Sequence, residues 1–226
     1  AAKKYGIKLP DDQLVCAPAS SKEGQDYYKA MQCAVNYAFT NRTVMVKWIR
    51  DSFEEVFERD WEDMDMQTIY DVCHNICKKE EHKVNGEKRQ LYVHRKGSTR
   101  ALPAGHPLNP KKYSKTGHPV LIAGSMGTSS HILVGGENSS ESFHSTCHGA
   151  GRVMSRKKAI HSFYGEKVKQ ELLDKQKIYA KSTHGKVLAE EAPGAYKNVD
   201  EVIESVHQDG ISKKVARMVP LGVAKG

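Results

Sequence analysis

The sequence predicts an α/β fold of the mixed α+β kind rather than a regular doubly wound sheet. Three observations point there. Apolar residues recur at helical spacing through the first quarter of the chain, an Asn-Gly hairpin signal stands at residues 85–86, and short β-branched runs alternate with helical stretches from residue 118 onward. The chain has 226 residues, enough to bury a sizeable core. It has no internal repeat and no linker long enough to mark a boundary, so one domain spanning 1–226 is expected.

The elements follow in order. "SSKEGQDYYKAMQCAVNYAF" opens with a capping-box pattern, Ser20 with Glu23, and continues with Tyr27, Met31, Ala34, Val35 and Ala38 on one helical face. "TVMVKWIRDSFEEVFE" predicts a second helix, with Met45, Ile49, Phe53 and Val56 aligned. "TIYDV" at 68–72 reads as a short buried strand ending at "CHN". Asn85-Gly86 joins two hairpin strands, and "RKGSTRALPAGHPLNP" is a cationic loop. "HPVLIA" and "HILVG" read as strands on either side of "GSMGTSS". Two helices are expected between about Arg156 and Gln176, then a strand at "KIYAKS". Asn198, with Glu201 three residues on and Gly210 at the far end, brackets a capped helix, and "ARMVPLGVAKG" supplies one last strand.

Composition narrows the partners. The formal net charge is +8, which favours an anionic partner such as nucleic acid or nucleotide; a solvated basic surface is the plain alternative. No apolar run approaches the ~20 residues that span a bilayer. The five cysteines, an odd number without a secretion signal, read as reduced thiols in a cytoplasmic protein. The first residue is Ala rather than Met, which reads as a processed chain or a fragment.

Four stretches could carry chemistry. In "GSMGTSS" (124–130) the glycines free backbone N–H groups for an anion and Ser and Thr add hydroxyls; a tight turn between strands would look similar. No Gly-Lys-Ser/Thr follows, so it is not a P-loop. "YDVCHNICKK" sets His74 and Asn75 at a strand terminus, where an imidazole can meet a metal or a phosphate or merely satisfy a hydrogen bond. Cys73, His74 and Cys77 lack a second pair at zinc spacing. "HRKGSTR" (94–100) offers three cations to an RNA backbone or to solvent. "CHGAGR" is the most specific. Gly149 and Gly151 let the main chain approach a bulky ligand, His148 projects beside that bare backbone, and Arg152 and Arg156 share a face if a helix begins there. An imidazole aimed at phosphorus, with guanidinium groups to absorb developing charge, suits a histidine nucleophile.

Taken together, "YDVCHNI", "HRKGSTRA", "GSMGTSS", "TCHGAGRVMSR", "EEAPGAYKNVDEVI" and the terminal "VAKG" resemble the RtcB family of RNA-splicing ligases, in the family's order and over nearly the whole chain. "APGAYKNV…GISKK" is similar to archaeal and eukaryotic members. The resemblance implies an RtcB-like fold, its C-terminal part, with mixed or antiparallel sheets and flanking helices. It implies a ligase that uses GTP and Mn2+ to join an RNA 2′,3′-cyclic phosphate or 3′-phosphate to a 5′-hydroxyl. His148 would become guanylylated and pass GMP to the RNA 3′-phosphate. Ala123, Gly124, Ser125, Met126, Ser130, Gly149, Ala150 and Gly151 would line the guanylate, Tyr196 would pack near the base, and Lys225 would donate to it. His74 would ligate manganese, Asn75 would contact phosphate, and Arg152 and Arg156 would hold RNA. The implied RNA is a pair of tRNA halves, and the implied location is the cytoplasm, or the nucleus in a eukaryote.

The sequence departs from the family pattern at one point. The family's metal site also draws on an aspartate, a cysteine and further histidines in a GNHF-like and a Gly-His-Gln segment, and neither segment occurs here. The chain is therefore expected to be the C-terminal piece of a split or truncated ligase, with an N-terminal half or accessory activator as partner. The alternatives are an RNA- or nucleotide-binding module without turnover, and a metal-dependent phosphoesterase using His74 and His148.

Overall fold

The structure is a computed structural model that describes residues 1–225; Gly226, the end of the "VAKG" motif, lies outside them. The chain forms two compact units, Ala1–Asp71 and Val72 onward.

The first unit is built on one helix, α1 (Lys22–Phe57). Two helices were expected, yet the Thr-Asn-Arg stretch between them does not break the spiral. The Thr40 and Thr43 hydroxyls donate to the carbonyls of Asn36 and Phe39, both at 3.1 Å, so these residues satisfy themselves within the helix. The cap is Ser21 rather than Ser20: its hydroxyl accepts from the Gly24 N–H at 3.0 Å. Glu58, with φ of 50°, ends the helix in the left-handed region. Residues 68–72 form no strand, and Ile69 is 55% exposed. Side chains hold this return segment instead. Arg42 pairs with Asp71 at 2.6 Å, and Arg50 donates twice to the Met66 carbonyl while stacking 3.6 Å above the Trp61 ring.

In the second unit the elements run β1 (Asn75–Val84), β2 (Glu87–Lys96), β3 (Ser98–Arg100), β4 (Pro119–Ile122), β5 (Ser130–Gly135), β6 (Ser145–Cys147), α2 (Arg156–Ser162), α3 (Gly165–Gln176), β7 (Tyr179–Ser182), α4 (Gly185–Glu190), α5 (Val199–Gln208), β8 (Ser212–Met218) and β9 (Gly222–Lys225). β1 and β2 close as the expected hairpin. Asn85 and Gly86 both take positive φ, 51° and 85°, as a two-residue primed turn requires. β3, inside the stretch expected to be loop, pairs antiparallel with β6. β4, β5 and β8 form an antiparallel sheet, and β7 pairs parallel with β9. The tail is thus two strands, because Pro220 interrupts it and cannot donate to a ladder.

Two apolar clusters support these sheets. One gathers Ala101, Val120, Ile122, Leu133, Ala150, Val199 and Ile203; the other gathers Met126, Val168, Leu172, Ile178, Ala180, Leu188 and Ala192. The hairpin carries a buried ion pair as well. Arg95, 1% exposed, forks both terminal nitrogens onto Glu80 at 3.0 and 2.8 Å, and His82 lies 3.1 Å from the same carboxylate. Of the three cations in "HRKGSTR", then, Arg95 is an internal ion pair. Arg100 lies 3.9 Å from Glu80, and Lys96 is exposed.

Candidate nucleotide site

Strand pairing brings the two candidate histidines together. His148 follows the last residue of β6, and Cys147 pairs with Ser98 at the start of β3. Gly97, one residue earlier, donates its N–H to the carbonyl of His74 at 3.0 Å. The chain ends at His74 and His148 therefore converge, and their rings stack with centroids 3.9 Å apart and planes 21° apart. His74 is exposed, and His148 is half-buried. Burial lowers the His148 pKa below the usual 6.5, and the neighbouring His74 and Lys96 push the same way. These effects favour the neutral imidazole over the imidazolium. Asn75 opens β1 beside His74, exposed.

The backbone after His148 leads to the second part of the site. Ala123 donates its N–H to the His148 carbonyl at 3.1 Å, and Ala150 donates back to the Ala123 carbonyl at 3.3 Å, making a parallel bridge between Ala123 and Gly149. Ala123 opens the 124–130 turn. That turn is held by its own hydroxyls. The Gly124 N–H donates to Ser130 Oγ at 3.2 Å, and the Ser125 N–H to Thr128 Oγ1 at 2.7 Å. A cavity of about 350 Å³ opens between this turn and the tail, walled by Gly124, Ser125, Met126, Thr128 and Ser130 on one side and by Met218, Val223 and Lys225 on the other. Met126 is only 3% exposed and belongs chiefly to the core. The cavity volume is in the range that takes a small organic ligand.

A third group surrounds Tyr196. Gly151, at φ 75°, precedes Arg152, which bridges to Tyr196 along the backbone. Arg152 uses all three guanidinium nitrogens internally. Nε donates to the Met154 carbonyl at 3.1 Å, one terminal nitrogen to Tyr196 Oη at 2.8 Å and toward Glu191 at 3.4 Å, and the other to the Glu190 carbonyl at 2.5 Å. Tyr196 Oη in turn donates to Glu191 at 2.6 Å, and Lys225 Nζ stands 3.5 Å from the same carboxylate. Burial and the Glu191 hydrogen bond raise the phenol pKa to about 12. Burial pushes the Glu191 carboxyl up, but Tyr196, Lys225 and Arg152 together outweigh it and hold it below its ordinary range. Arg156 begins α2, pairs with Glu190 at 3.2 Å, and keeps 75% of its side chain exposed.

The chain matches the family model described as tRNA-splicing ligase RtcB over residues 1–226. The chain belongs to the RtcB family. It is 56% identical to the tRNA-splicing ligase RtcB of Archaeoglobus fulgidus and 54% identical to that of Thermococcus kodakarensis, each over 227 residues, covering 100% of this chain and 47% of the relative. It is also 54% identical to the RtcB of Methanocaldococcus jannaschii, of which it covers 23%. It thus spans about half or less of the length of these curated relatives.

Apart from Gly151, Arg152, Arg156 and Tyr196, which stand together around Glu190 and Glu191, the expected residues fall into two groups around one backbone connection. His74, Asn75 and His148 with Gly149 and Ala150 stand at the β1–β3–β6 end. Gly124, Ser125, Met126, Ser130 and Lys225 wall the cavity, and Ala123 joins the two groups. Manganese does not fit these residues alone: among the described residues no group of three His, Cys, Asp or Glu side chains is placed to hold a metal ion. Sequence reading missed Glu191, which touches three expected site residues. Its only signal was the Glu-Glu pair just ahead of "APGAY". It also missed Asp200, which lies 3.1 Å from both Ser129 Oγ and His131 Nε2 and so ties the turn to the start of α5.

Proposed function

We propose that this chain carries the guanylate-transfer side of an RtcB RNA ligase. The observation that supports this most is the continuity of the site: His148 is hydrogen-bonded through its own carbonyl to Ala123, the residue that opens the turn walling the nucleotide-sized cavity.

The chemistry runs in three transfers. An imidazole nitrogen of His148 attacks the α-phosphorus of GTP; a P–N bond forms, the α–β P–O bond breaks, and pyrophosphate leaves. An oxygen of an RNA 3′-phosphate, produced when water opens a 2′,3′-cyclic phosphate, then attacks that phosphorus. The P–N bond breaks and its electron pair returns to the imidazole. Finally the 5′-hydroxyl of a second RNA attacks the activated 3′-phosphorus, loses its proton, and displaces GMP. Each step depends on holding phosphorus in line and neutralising charge. The neutral His148 ring, the turn's N–H groups and the cations at Lys225 and Arg156 suit those tasks. Both compact units are read as parts of one catalytic domain, since the family match runs through both. The proposed substrates are tRNA halves in the cytoplasm; among the described residues no helix is long and apolar enough to cross a membrane.

The test is RNA joining. The chain, with and without the complementary half of an archaeal relative, is incubated with GTP, Mn2+ and two RNAs ending in a 2′,3′-cyclic phosphate and a 5′-hydroxyl. Ligation that disappears in His148→Ala is expected. Ligation that survives this substitution excludes His148 as the nucleophile. A second reading, nucleotide or RNA binding without turnover, is favoured by the lack of a three-donor metal group among the described residues. It predicts RNA retention with no joining in either mixture.

A further inference from the structure

Glu191 stands just past the end of α4 and lies outside the cavity wall, yet it meets Tyr196 and Lys225, both expected to serve the nucleotide, and Arg152, expected to hold RNA. Its carboxylate accepts from Tyr196 Oη at 2.6 Å and faces Arg152 at 3.4 Å and Lys225 Nζ at 3.5 Å. The Glu191 side chain is 20% exposed, so these contacts are partly shielded from water.

Lys225 is the member whose position matters to a ligand. Its backbone is fixed, since β9 pairs with β7 at Ser182 and the Thr183 N–H donates to the Lys225 carbonyl at 3.1 Å. Its four-carbon stem is not fixed by the backbone, and the side chain is 37% exposed. Among the described residues Glu191 is the one acid paired with it. An ammonium group has three protons; one directed at Glu191 leaves two for an acceptor in the cavity that Lys225 walls. Guanine presents O6 and N7, both acceptors, whereas adenine puts an amino donor in place of O6. A lysine held at a fixed point therefore separates the two bases, and a wandering one does so less. Charge supports the same role. One carboxylate faces two cations, so the group keeps a net positive charge beside the cavity.

We propose that Glu191 is a positioning residue for guanine selection, fixing Lys225, Tyr196 and Arg152 as one unit beside the nucleotide cavity. This rests on the reading of that cavity as the guanylate site. The experiment measures GMP and AMP binding by isothermal titration to the chain and to Glu191→Gln, Lys225→Met and the double variant. The wild-type chain is expected to prefer GMP. Glu191→Gln should cut the GMP-to-AMP preference about tenfold, the scale of one charge-assisted hydrogen bond. The double variant should be no less selective than Lys225→Met, because the two residues act through one contact. Rescue of selectivity by Glu191→Asp would add support. A purely structural role would weaken both nucleotides equally and leave the ratio unchanged; that result, or an additive double variant, overturns the proposal. If Glu191→Gln unfolds, the coupling fails instead on Lys225→Met, which must by itself remove the preference. A wild-type chain without preference for GMP removes the cavity reading and this proposal with it, whereas a preference that survives Glu191→Gln removes only the role of Glu191.

Discussion

A methyl group added at Gly124 would stand 2.0 Å from the Ser129 carbonyl oxygen, while one at Gly149 would stand 3.4 Å from that of Ala123. The first contact is with backbone and cannot be relieved by a rotamer change. Gly124→Ala is expected to destabilise the second unit by roughly 1–3 kcal/mol and to abolish GMP binding, whereas Gly149→Ala should leave stability largely intact and weaken GMP binding alone, because the added methyl takes up ligand space and not protein space. Urea unfolding and GMP titration on the two variants check this contrast. A second prediction concerns pH. His118 is buried, and that burial, with Arg100 nearby, drops its pKa from 6.5 to about 4. The unfolded chain then binds the proton more readily, so stability is full above pH 6.5 and falls as pH drops toward 4. His118→Gln should flatten the change in urea midpoint between pH 7 and pH 4.5; an unaltered pH dependence would contradict the assignment. At this scale the sequence pointed to His148 through the two bare glycines beside it, and the structure stacks its ring on that of His74. It did not expose the internal engagement of Arg152, which depends on Glu190, Glu191 and Tyr196 arriving from 38 to 44 residues away.

At the scale of elements, the β1–β2 hairpin rests on the Arg95–Glu80 pair, and removing one partner leaves a charge buried. Glu80→Gln should cost about 3–5 kcal/mol and lower the thermal midpoint, more than Glu81→Gln on the exposed side of the same strand. The hairpin itself was readable, since Asn-Gly is among the few dipeptides that take positive φ twice without strain. The capped helix α5 was readable for a similar reason: Asn198 Oδ1 accepts from the Asp200 N–H at 3.0 Å, a contact local in sequence. The joining of two helical stretches into α1 was harder to see, because Thr and Asn are poor helix formers; here the Thr40 and Thr43 hydroxyls bond back along the helix. The strand expected at 68–72 failed for the opposite reason. Its apolar residues suggested burial, but Arg42 anchors the segment at Asp71 and Arg50 anchors the chain just ahead of it at Met66, a long-range arrangement that no window of sequence displays.

At the scale of the whole molecule, no residue of Ala1–Asp71 is fully buried, while both apolar clusters lie in the second unit. Residues 72–226 expressed alone should therefore unfold cooperatively, and residues 1–71 alone should not; circular dichroism with urea distinguishes the two. The lack of a three-donor group among the described residues gives a parallel expectation. The chain alone should show no stoichiometric Mn2+ complex by titration, and a complementary RtcB segment should restore one. The family was legible from sequence because its motifs are short, local and numerous, and the architecture between them was legible only where turns and caps set it. The most direct measurement of the central claim is mass-spectrometric mapping of GMP after the chain, its complementary segment, Mn2+ and GTP are mixed. An acid-labile guanylate on the peptide bearing His148, absent in His148→Ala, is the predicted result; a guanylate on any other residue, or one that persists in that variant, would contradict it.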